Sequence, residues 1–229
     1  MFWRSLIDIV FPPLCLNCGS DVSSGRIICG ECFLRIKVNE TLFCGRCGAR
    51  MATGIKICHF DFPYFLGAVG SYKDVILRNL IWGLKFRSVK LAADPLSDLL
   101  YNYTNKINFP WKSFTVVPLP LSKRRERKRG FNQSELIAEK FAKKAELPFE
   151  NKVLIRHRHS SPQSDLKKWE SREENVQNCF SVVSPEKLAG KNVILVDDVT
   201  TSGSTLISAT SALKEVGVRR LVALVIAKV

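Results

Sequence analysis

Two adjacent carboxylates and a hydroxyl-rich turn are the residues whose types and spacing suggest chemistry. Asp197 and Asp198 follow four consecutive apolar residues, 193–196, which predict a strand buried on both faces of a parallel sheet. Ligands of open α/β sheets bind beyond the carboxyl ends of such strands. Two carboxylates at that position predict a site for a polyol or a metal ion.

The residues after this pair are typical of a phosphate site. The turn contains one glycine, Gly203, which allows the backbone to approach a ligand closely. It leads into a predicted helix whose free N–H groups and positive dipole end favour an anion. The candidate residues are Asp197, Asp198, Thr200, Thr201, Ser202, Gly203, Ser204 and Thr205. Together they indicate a ribose 5-phosphate. The alternative is a capped helix after a buried strand, with no ligand, and adjacent carboxylates at a strand end argue against it.

A second candidate anion site follows a strand predicted over 114–121, which two prolines end. Six of the seven residues from 123 to 129 are basic. A loop of this kind can clamp a pyrophosphate through arginine forks, or neutralise a nucleic-acid backbone, or remain a solvated charge run. The candidate residues are Pro118, Leu119, Pro120, Leu121 and Ser122 for the pyrophosphate, with Lys123, Arg124, Arg125, Arg127 and Arg129 as further anion contacts.

Cysteine spacing predicts structural zinc near the start of the chain. Seven of the eight cysteines precede residue 59, and Cys-x-x-Cys pairs in a reducing compartment favour a metal over disulfides. The first predicted Zn²⁺ site uses Cys15, Cys18, Cys29 and Cys32. The order of knuckle, hairpin and helix start is typical of a treble-clef-like finger. Such a small finger depends on its metal to fold.

A second, possible zinc site contains Cys44, Cys47 and Cys58. Its fourth ligand is Asp61 or His59, since position 61 lacks the cysteine that would complete the pair. The alternative is a hairpin that has lost its metal. Spacing also leaves open a cross-braced pairing between the first and third cysteine pairs.

These motifs predict a two-part chain. Residues 1–61 form a cysteine-rich zinc-binding domain, and 62–229 form an α/β domain with a helical segment, 62–111, before a mostly parallel core, 112–229. Apolar periodicity predicts helices over 73–86, about 92–104, and from Ser134 to Pro148. Lys85, at the end of the first helix, could point into a ligand cleft, but a solvated helix end is the preferred interpretation of a lone lysine there.

Charge and hydropathy restrict the partners. The chain has 229 residues and a net charge of +14. Residues 1–61 hold 7 basic and 5 acidic residues (+2), which leaves 28 and 16 (+12) for the remainder, so anionic partners are expected there. No apolar run is long enough to span a bilayer, and the N-terminus lacks the features of a signal peptide. We therefore expect a cytoplasmic protein. Residues 1–11 suggest an amphipathic helix that packs on its own domain, with peripheral membrane contact as the weaker alternative.

Several motifs together resemble known families. The segment 193–206 looks like the signature by which type I phosphoribosyltransferases bind 5-phosphoribosyl 1-pyrophosphate (PRPP). The run Val-Pro-Leu-Pro-Leu-Ser, followed by basic residues and 129–133 (Arg-Gly-Phe-Asn-Gln), resembles the ComF family, as do Phe-Pro-Pro at 11–13, the cysteine pairs and Leu-Lys-Phe at 84–86. The similarity covers nearly the whole chain. Asp61 is a departure, since the family commonly has a cysteine at this position.

The resemblance implies a fold, ligands and a role. It implies a type I phosphoribosyltransferase fold behind a zinc finger, with PRPP and Mg²⁺ bound by the two aspartates and the turn. It also implies action in DNA uptake during natural transformation, with single-stranded DNA and a helicase as partners. The alternative is an active phosphoribosyltransferase with an unknown acceptor. Thr201 stands where some purine-salvage relatives carry an acid, and threonine is no base at neutral pH.

A polar segment before Phe180 is predicted to be a lid over the substrate. It is long, has few apolar anchors, and lies where type I phosphoribosyltransferases carry a flexible loop. Gln163 and Arg172 match the ComF pattern and are its candidate anion contacts. His157 and His159 are interpreted as exposed loop residues.

Overall fold

The computed structural model describes residues 13–23, 25–51, 58–59, 62–157 and 179–229. In chain order the elements are α1 (Gly30–Arg35), β1 (Leu42–Cys44), β2 (Arg50–Met51), β3 (Phe65–Ser71), α2 (Val75–Phe86), α3 (Ala93–Lys106), β4 (Phe114–Pro118), α4 (Lys123–Arg129), α5 (Gln133–Ala145), β5 (Leu154–Arg156), β6 (Phe180–Val182), β7 (Asn192–Thr200), α6 (Ser204–Glu215) and β8 (Arg220–Lys228). Short 3₁₀ turns lie at Lys90–Ala92, Trp111–Ser113 and Pro185–Lys187.

A six-stranded sheet with the order β2-β1-β3-β8-β7-β4 forms the centre of the molecule. The four strands β3, β8, β7 and β4 are parallel, as the alternation of strands and helices predicted. β1 and β2 add an antiparallel edge. They come from the cysteine-rich segment, so the sheet contains residues from both sides of position 61. The domain division itself stays a prediction.

Helices cover both faces of this sheet. On one face α2, α3 and α5 pack into one core cluster, and on the other face α6 packs against a second cluster. The two predicted helices before the core are present, at Val75–Phe86 and Ala93–Lys106. Asp74 caps the first because its carboxylate accepts from the backbone N–H of Ile76 and Leu77. In the described part of the chain no helix is long and apolar enough to cross a membrane.

One local prediction was wrong. Residues 123–129 form the helix α4 and not a loop, because Ser122 caps its start and left-handed Gly130 ends it. The strand after the predicted lid lies outside the main sheet. β6 pairs antiparallel with β5 in a separate two-stranded sheet, with Phe180 opposite Arg156.

The strand before the phosphate turn is longer than predicted, and its length shapes the site. β4 stops pairing with β7 where Pro118 meets Val196, whereas β8 accompanies β7 as far as Thr200. Asp197 and Asp198 therefore lie within β7, beyond the end of β4. The sheet edge beside them is left open on the β4 side.

Candidate anion and metal sites

The two adjacent aspartates differ in their partners. Asp197 Oδ1 accepts a hydrogen bond from Ser134 Oγ at 2.8 Å and another from the backbone N–H of Asp198 at 2.8 Å. Asp198 is 3% exposed, and its Oδ1 lies 2.8 Å from Lys85 Nζ. Its other oxygen, Oδ2, is buried and has no hydrogen-bond partner among the described residues. A buried carboxylate oxygen without a partner is costly, so it is suited to a cation or a hydroxyl from a ligand.

Burial controls the protonation of Asp197. Desolvation, followed by the negative charge of Asp198, raises the pKa of Asp197 to about 7, although Ser134, the Asp198 amide and Lys85 oppose this shift. Near neutral pH this carboxyl is thus poised between its two forms. A bound cation or a hydroxyl donor would favour the ionised form.

Lys85 was interpreted as a solvated helix end, and that interpretation was wrong. Its side chain is 19% exposed and pairs with Asp198. The last turn of α2 points this ammonium into the carboxylate pair because the adjacent Leu84 is fully buried in the core beneath. The signal that could have identified it is the tripeptide Leu-Lys-Phe at 84–86, which matches a family pattern.

A buried polar motif, 131–134, joins the strand end after β4 to the aspartates. Asn132 Nδ2 donates to the carbonyl of Leu119 at 3.0 Å, while its Oδ1 accepts from the backbone N–H of Ser134 and caps α5. Ser134 then donates to Asp197. Gln133 accepts from Arg129. Sequence reasoning used this motif for its resemblance but missed Asn132 and Ser134 as site residues.

The predicted phosphate turn has the expected geometry. Gly203 has φ +79° and directly precedes the 12-residue helix α6. Thr201 and Ser202 are exposed, and Ser202 Oγ donates to Ser204 Oγ at 3.2 Å. Thr200 is buried as the last residue of β7. The turn thus presents hydroxyls and free helix N–H groups immediately after the carboxylate pair.

The strand end 118–122 lies beside the same pair. The backbone N–H of Leu119 donates to the carbonyl of Val196 at 2.9 Å, which places this segment next to β7 just before Asp197. The predicted anion contacts of α4 follow it, and Lys123, Arg124, Arg125 and Arg127 are exposed, whereas Arg129 is half-buried.

Arg156 is a basic residue that sequence reasoning did not assign. Its guanidinium stacks over Phe180, 5.2 Å from the ring centroid. Burial lowers the pKa of Arg156, and Cys179, Arg125 and Asp197 are close enough to influence it. Arg156 on β5 is thus a further positive charge within electrostatic range of Asp197. The lid residues Gln163 and Arg172, and His159, lie outside the described residues.

An exposed aromatic pair on α2 lies beside the basic helix. The rings of Trp82 and Phe86 are 5.7 Å apart in an edge-to-face arrangement, and the two residues are 49% and 67% exposed. The guanidinium of Arg129 lies 5.9 Å from the Phe86 centroid. Because Phe86 follows Lys85, this pair lies near the carboxylate site. The sequence does not show this, since the aromatics are not interleaved with the basic run.

The four cysteines of the first predicted zinc site lie together in the structure. The sulfur atoms of Cys15, Cys18, Cys29 and Cys32 all lie within 4.8 Å of one another. The Cys18–Cys29 separation is 3.7 Å, close to the roughly 3.8 Å between thiolates around a tetrahedral Zn²⁺ with about 2.3 Å bonds. As predicted, the second pair lies at the start of a helix, where Cys29 caps α1.

At the second predicted zinc site, the structure places His59, one of the two candidate fourth ligands, beside the three cysteines. Cys44, Cys47, Cys58 and His59 offer atoms that lie within 4.8 Å of one another. His59 Nδ1 is 3.4 Å from Cys44 Sγ, and Cys47 and Cys58 are 3.5 Å apart. The structure thus brings His59 to the three cysteines, a donor set that suits zinc. Asp61 lies outside the described residues.

Two family models match this chain. Residues 6–60 match a double zinc ribbon domain, and residues 131–228 match a phosphoribosyl transferase domain. The predicted fold class is confirmed: an α/β domain of the phosphoribosyltransferase type follows a small zinc-binding module. The matched module is described as a ribbon, where the sequence predicted a treble-clef-like finger.

Curated relatives match between 66% and 90% of this chain. Competence protein F of Haemophilus influenzae is 28% identical over 220 residues, which cover 90% of this chain and 93% of the relative. Competence protein ComFC of Bacillus subtilis is 39% identical over 150 residues, or 66% of this chain and 58% of the relative. DNA utilization protein YhgH of Escherichia coli is 28% identical over 86% of this chain and 89% of its own length.

Solved structures are more distant. Glutamine PRPP amidotransferase from B. subtilis, in complex with ADP and GMP, aligns with 58% of this chain at 21% identity and a TM-score of 0.40. An allosteric regulatory enzyme of purine biosynthesis aligns at 20% identity with a TM-score of 0.39. This chain spans 25% and 26% of those longer chains.

Proposed function

Because the chain belongs to the ComF family, we propose that it binds PRPP and acts in DNA uptake during natural competence. One observation carries the first part. The unpartnered carboxylate oxygen of Asp198 and the N-terminus of α6 lie at the same sheet edge, separated only by the turn that includes Gly203. PRPP carries both groups that these features suit, ribose hydroxyls and a 5-phosphate.

The aspartates hold the ribose in this proposal, and the turn 201–205 holds the 5-phosphate. Asp197 and Asp198 accept hydrogen bonds from ribose hydroxyls. The donor set also fits Mg²⁺, which prefers oxygen ligands and keeps few protein contacts, and the free Oδ2 of Asp198 is available to it. When bound with PRPP, Mg²⁺ would neutralise pyrophosphate charge. Lys85 Nζ already lies 2.8 Å from the other oxygen of Asp198, Oδ1, which leaves Oδ2 for the ligand.

Basic residues on the β4 side hold the pyrophosphate. The strand end 118–122 supplies backbone groups beside β7, while Arg156, within electrostatic range of Asp197, and Arg125, within range of Arg156, supply guanidinium forks. No general base is part of the proposal, since Thr201 occupies the position where a base would be expected. Pentosyl transfer to an acceptor is therefore a separate hypothesis.

A PRPP titration tests the proposal. Isothermal titration of the full chain with PRPP and Mg²⁺ should show saturable binding, and Asp197→Ala and Asp198→Ala should abolish it. Asp98→Ala is the matched control because Asp98 pairs with Lys144 on exposed helix surface away from the turn. Binding that survives in both site variants would refute the assignment. Following pyrophosphate release with and without candidate acceptors separates a transferase from a binding protein.

The aromatic pair favours a second function, the binding of single-stranded DNA. Trp82 and Phe86 present faces on which bases can stack, and α4 supplies adjacent positive charge. Single-strand binding proteins combine these two features. A helicase partner of the uptake machinery stays a hypothesis from the resemblance alone.

Two sets of substitutions separate stacking from charge. Trp82→Ala with Phe86→Ala should lower affinity for a labelled oligonucleotide by about ten-fold, with the salt slope unchanged. Replacing Arg124, Arg125 and Arg127 by Ala should instead flatten the salt slope by about 0.7 per lost phosphate contact. Ala at the exposed Arg219 and Arg220, at the amino end of β8, is the charge control. An unchanged slope in the α4 variant would exclude α4 from the DNA surface.

A further inference from the structure

Tyr64 connects the second cysteine cluster to the phosphate turn. It lies between His59 and β3, and it is 4% exposed. Its ring packs with Phe62 at a centroid distance of 5.2 Å. Burial raises the pKa of Tyr64 to about 12, so its hydroxyl is protonated at physiological pH and available as a donor.

The Tyr64 hydroxyl points at the start of α6. Its oxygen lies 3.3 Å from the position that a Cβ would occupy on Gly203. Gly203 has no side chain, so the hydroxyl lies directly against the backbone where the helix begins. Within the described parts of the chain this hydroxyl forms no hydrogen bond. The oxygen is not one of the fully buried polar atoms that lack a partner, so it reaches accessible space beside the turn, where it can donate to a ligand.

We propose that Tyr64 is a further ligand of the phosphate group, donating its hydroxyl to the anion held by the turn 201–205. This rests on the proposed function, because the anion is the 5-phosphate of PRPP. Hydrogen bonds to charged oxygens are about twice as strong as neutral ones. Tyr64 precedes β3, whereas Ser202 and Ser204 belong to the turn, so in this proposal the phosphate is held from two parts of the chain.

The second cysteine cluster fixes the backbone of Tyr64. A Cβ on Gly45 would lie 2.6 Å from the Tyr64 carbonyl oxygen and 2.7 Å from the Phe62 ring, so the knuckle between Cys44 and Cys47 packs directly on this segment. Pushing the knuckle away would move Tyr64. The metal module therefore takes part in placing this ligand of the phosphate site.

Tyr64→Phe tests the proposal because it removes one oxygen and keeps the ring in the core. The probes are inorganic phosphate and PRPP with Mg²⁺, titrated against the full zinc-loaded chain. We expect both affinities to fall by about ten-fold, as for the loss of one hydrogen bond to a charged group. Tyr101→Phe is the matched control, since Tyr101 lies on α3 in a different part of the core and should change neither affinity.

The outcomes separate this proposal from the one on which it rests. If the wild-type chain binds PRPP and Tyr64→Phe binds both probes equally well, the role of Tyr64 is overturned and the PRPP site stands. If the wild-type chain binds neither probe, both proposals fail. A melting temperature for Tyr64→Phe close to that of wild type confirms that lost affinity reflects the hydroxyl and not unfolding.

Discussion

At the scale of single residues, the site is defined by two carboxylates that the fold treats differently. Asp198 is buried and neutralised by Lys85, whereas Asp197 is held by neutral donors and keeps a raised pKa. Such an arrangement is unfavourable for stability, because burying carboxylates costs free energy that a hydrophobic pair would not. It is favourable for binding, because the carboxylate oxygens are already desolvated before a cationic or polyol ligand binds to them.

The buried ion pair leads to a first prediction. Lys85→Met leaves Asp198 buried without a counter-charge and should lower the free energy of unfolding by roughly 3 kcal/mol in urea denaturation. Lys140→Met is the control: Lys140 lies 2.7 Å from Asp94, but the two side chains are 37% and 45% exposed. An exposed pair contributes less than about 1 kcal/mol. Equal losses in the two variants would contradict a buried role for Lys85.

The raised pKa of Asp197 leads to a second prediction, on pH. The folded chain keeps a proton on Asp197 up to about pH 7, whereas the unfolded chain releases it near its ordinary value of about 4. The unfolded state thus binds fewer protons across this window, so Asp197 makes the ligand-free protein less stable as pH rises from 4 to 7. Asp197→Asn removes this penalty, and its stability relative to wild type should increase by roughly 2 kcal/mol between pH 5 and pH 8.

Chemical denaturation across that pH range measures the effect. Asp98→Asn, on an exposed carboxylate, should show no such trend relative to wild type. A relative stability of Asp197→Asn that is independent of pH would show that Asp197 has an ordinary pKa. The same variant should bind PRPP poorly, which separates stability from function at one position.

At the scale of elements, the junction between β7 and α6 decides whether a phosphate can bind. β7 continues beyond the point where its pairing with β4 ends. After the turn, Gly203 adopts a left-handed conformation immediately before the helix. Tyr64 closes the turn from the side of β3. Because Gly203 provides no side-chain cap, the first turn of α6 can direct backbone N–H groups at an anion.

Gly203→Ala tests that junction. Any L-residue in a left-handed conformation costs about 1 kcal/mol, and here the new methyl group would also lie 3.3 Å from the Tyr64 hydroxyl. Gly190→Ala is the matched control, because Gly190 has φ +71° and no atom lies within 4 Å of the place its new methyl group would take. Both variants should lose similar stability, but only Gly203→Ala should weaken phosphate binding, measured by titration. Equal phosphate affinities would show that the turn tolerates a side chain.

The same elements show what could be predicted from sequence. The strand, the acid pair, the glycine and the helix of 193–215 were predictable because all their determinants are local. Lys85 was not, since it meets Asp198 only after α2 has packed onto the sheet. Tyr64 was missed because its ring is typical of a core residue, and only the fold shows where its hydroxyl points. α4 was taken for a loop because its charges obscured the caps at Ser122 and Gly130.

At the scale of the whole molecule, the cysteine-rich segment and the α/β part share one core. β1 pairs with β3 of the main sheet, and Cys15 and Cys32 belong to the same buried cluster as Leu77 on α2. Asn79 Nδ2 donates to Asn17 Oδ1 at 3.1 Å across this contact. A module attached in this way is expected to lose its structure together with its neighbour.

Metal removal tests this coupling and the predicted domain division at residue 61. Because four thiolates cannot stay close together without their cation, chelation should open the cluster at Cys15 and expose the core around Leu77. We expect calorimetry to show one transition, shifted to lower temperature by chelator and restored by Zn²⁺, and phosphate affinity to fall in parallel as Tyr64 loses its support. Two separate transitions, with the upper one insensitive to chelator, would instead establish the segment 1–61 as an independent domain. Cys179→Ser is the control: this buried cysteine lies outside both clusters, so the variant should respond to chelator as the wild type does.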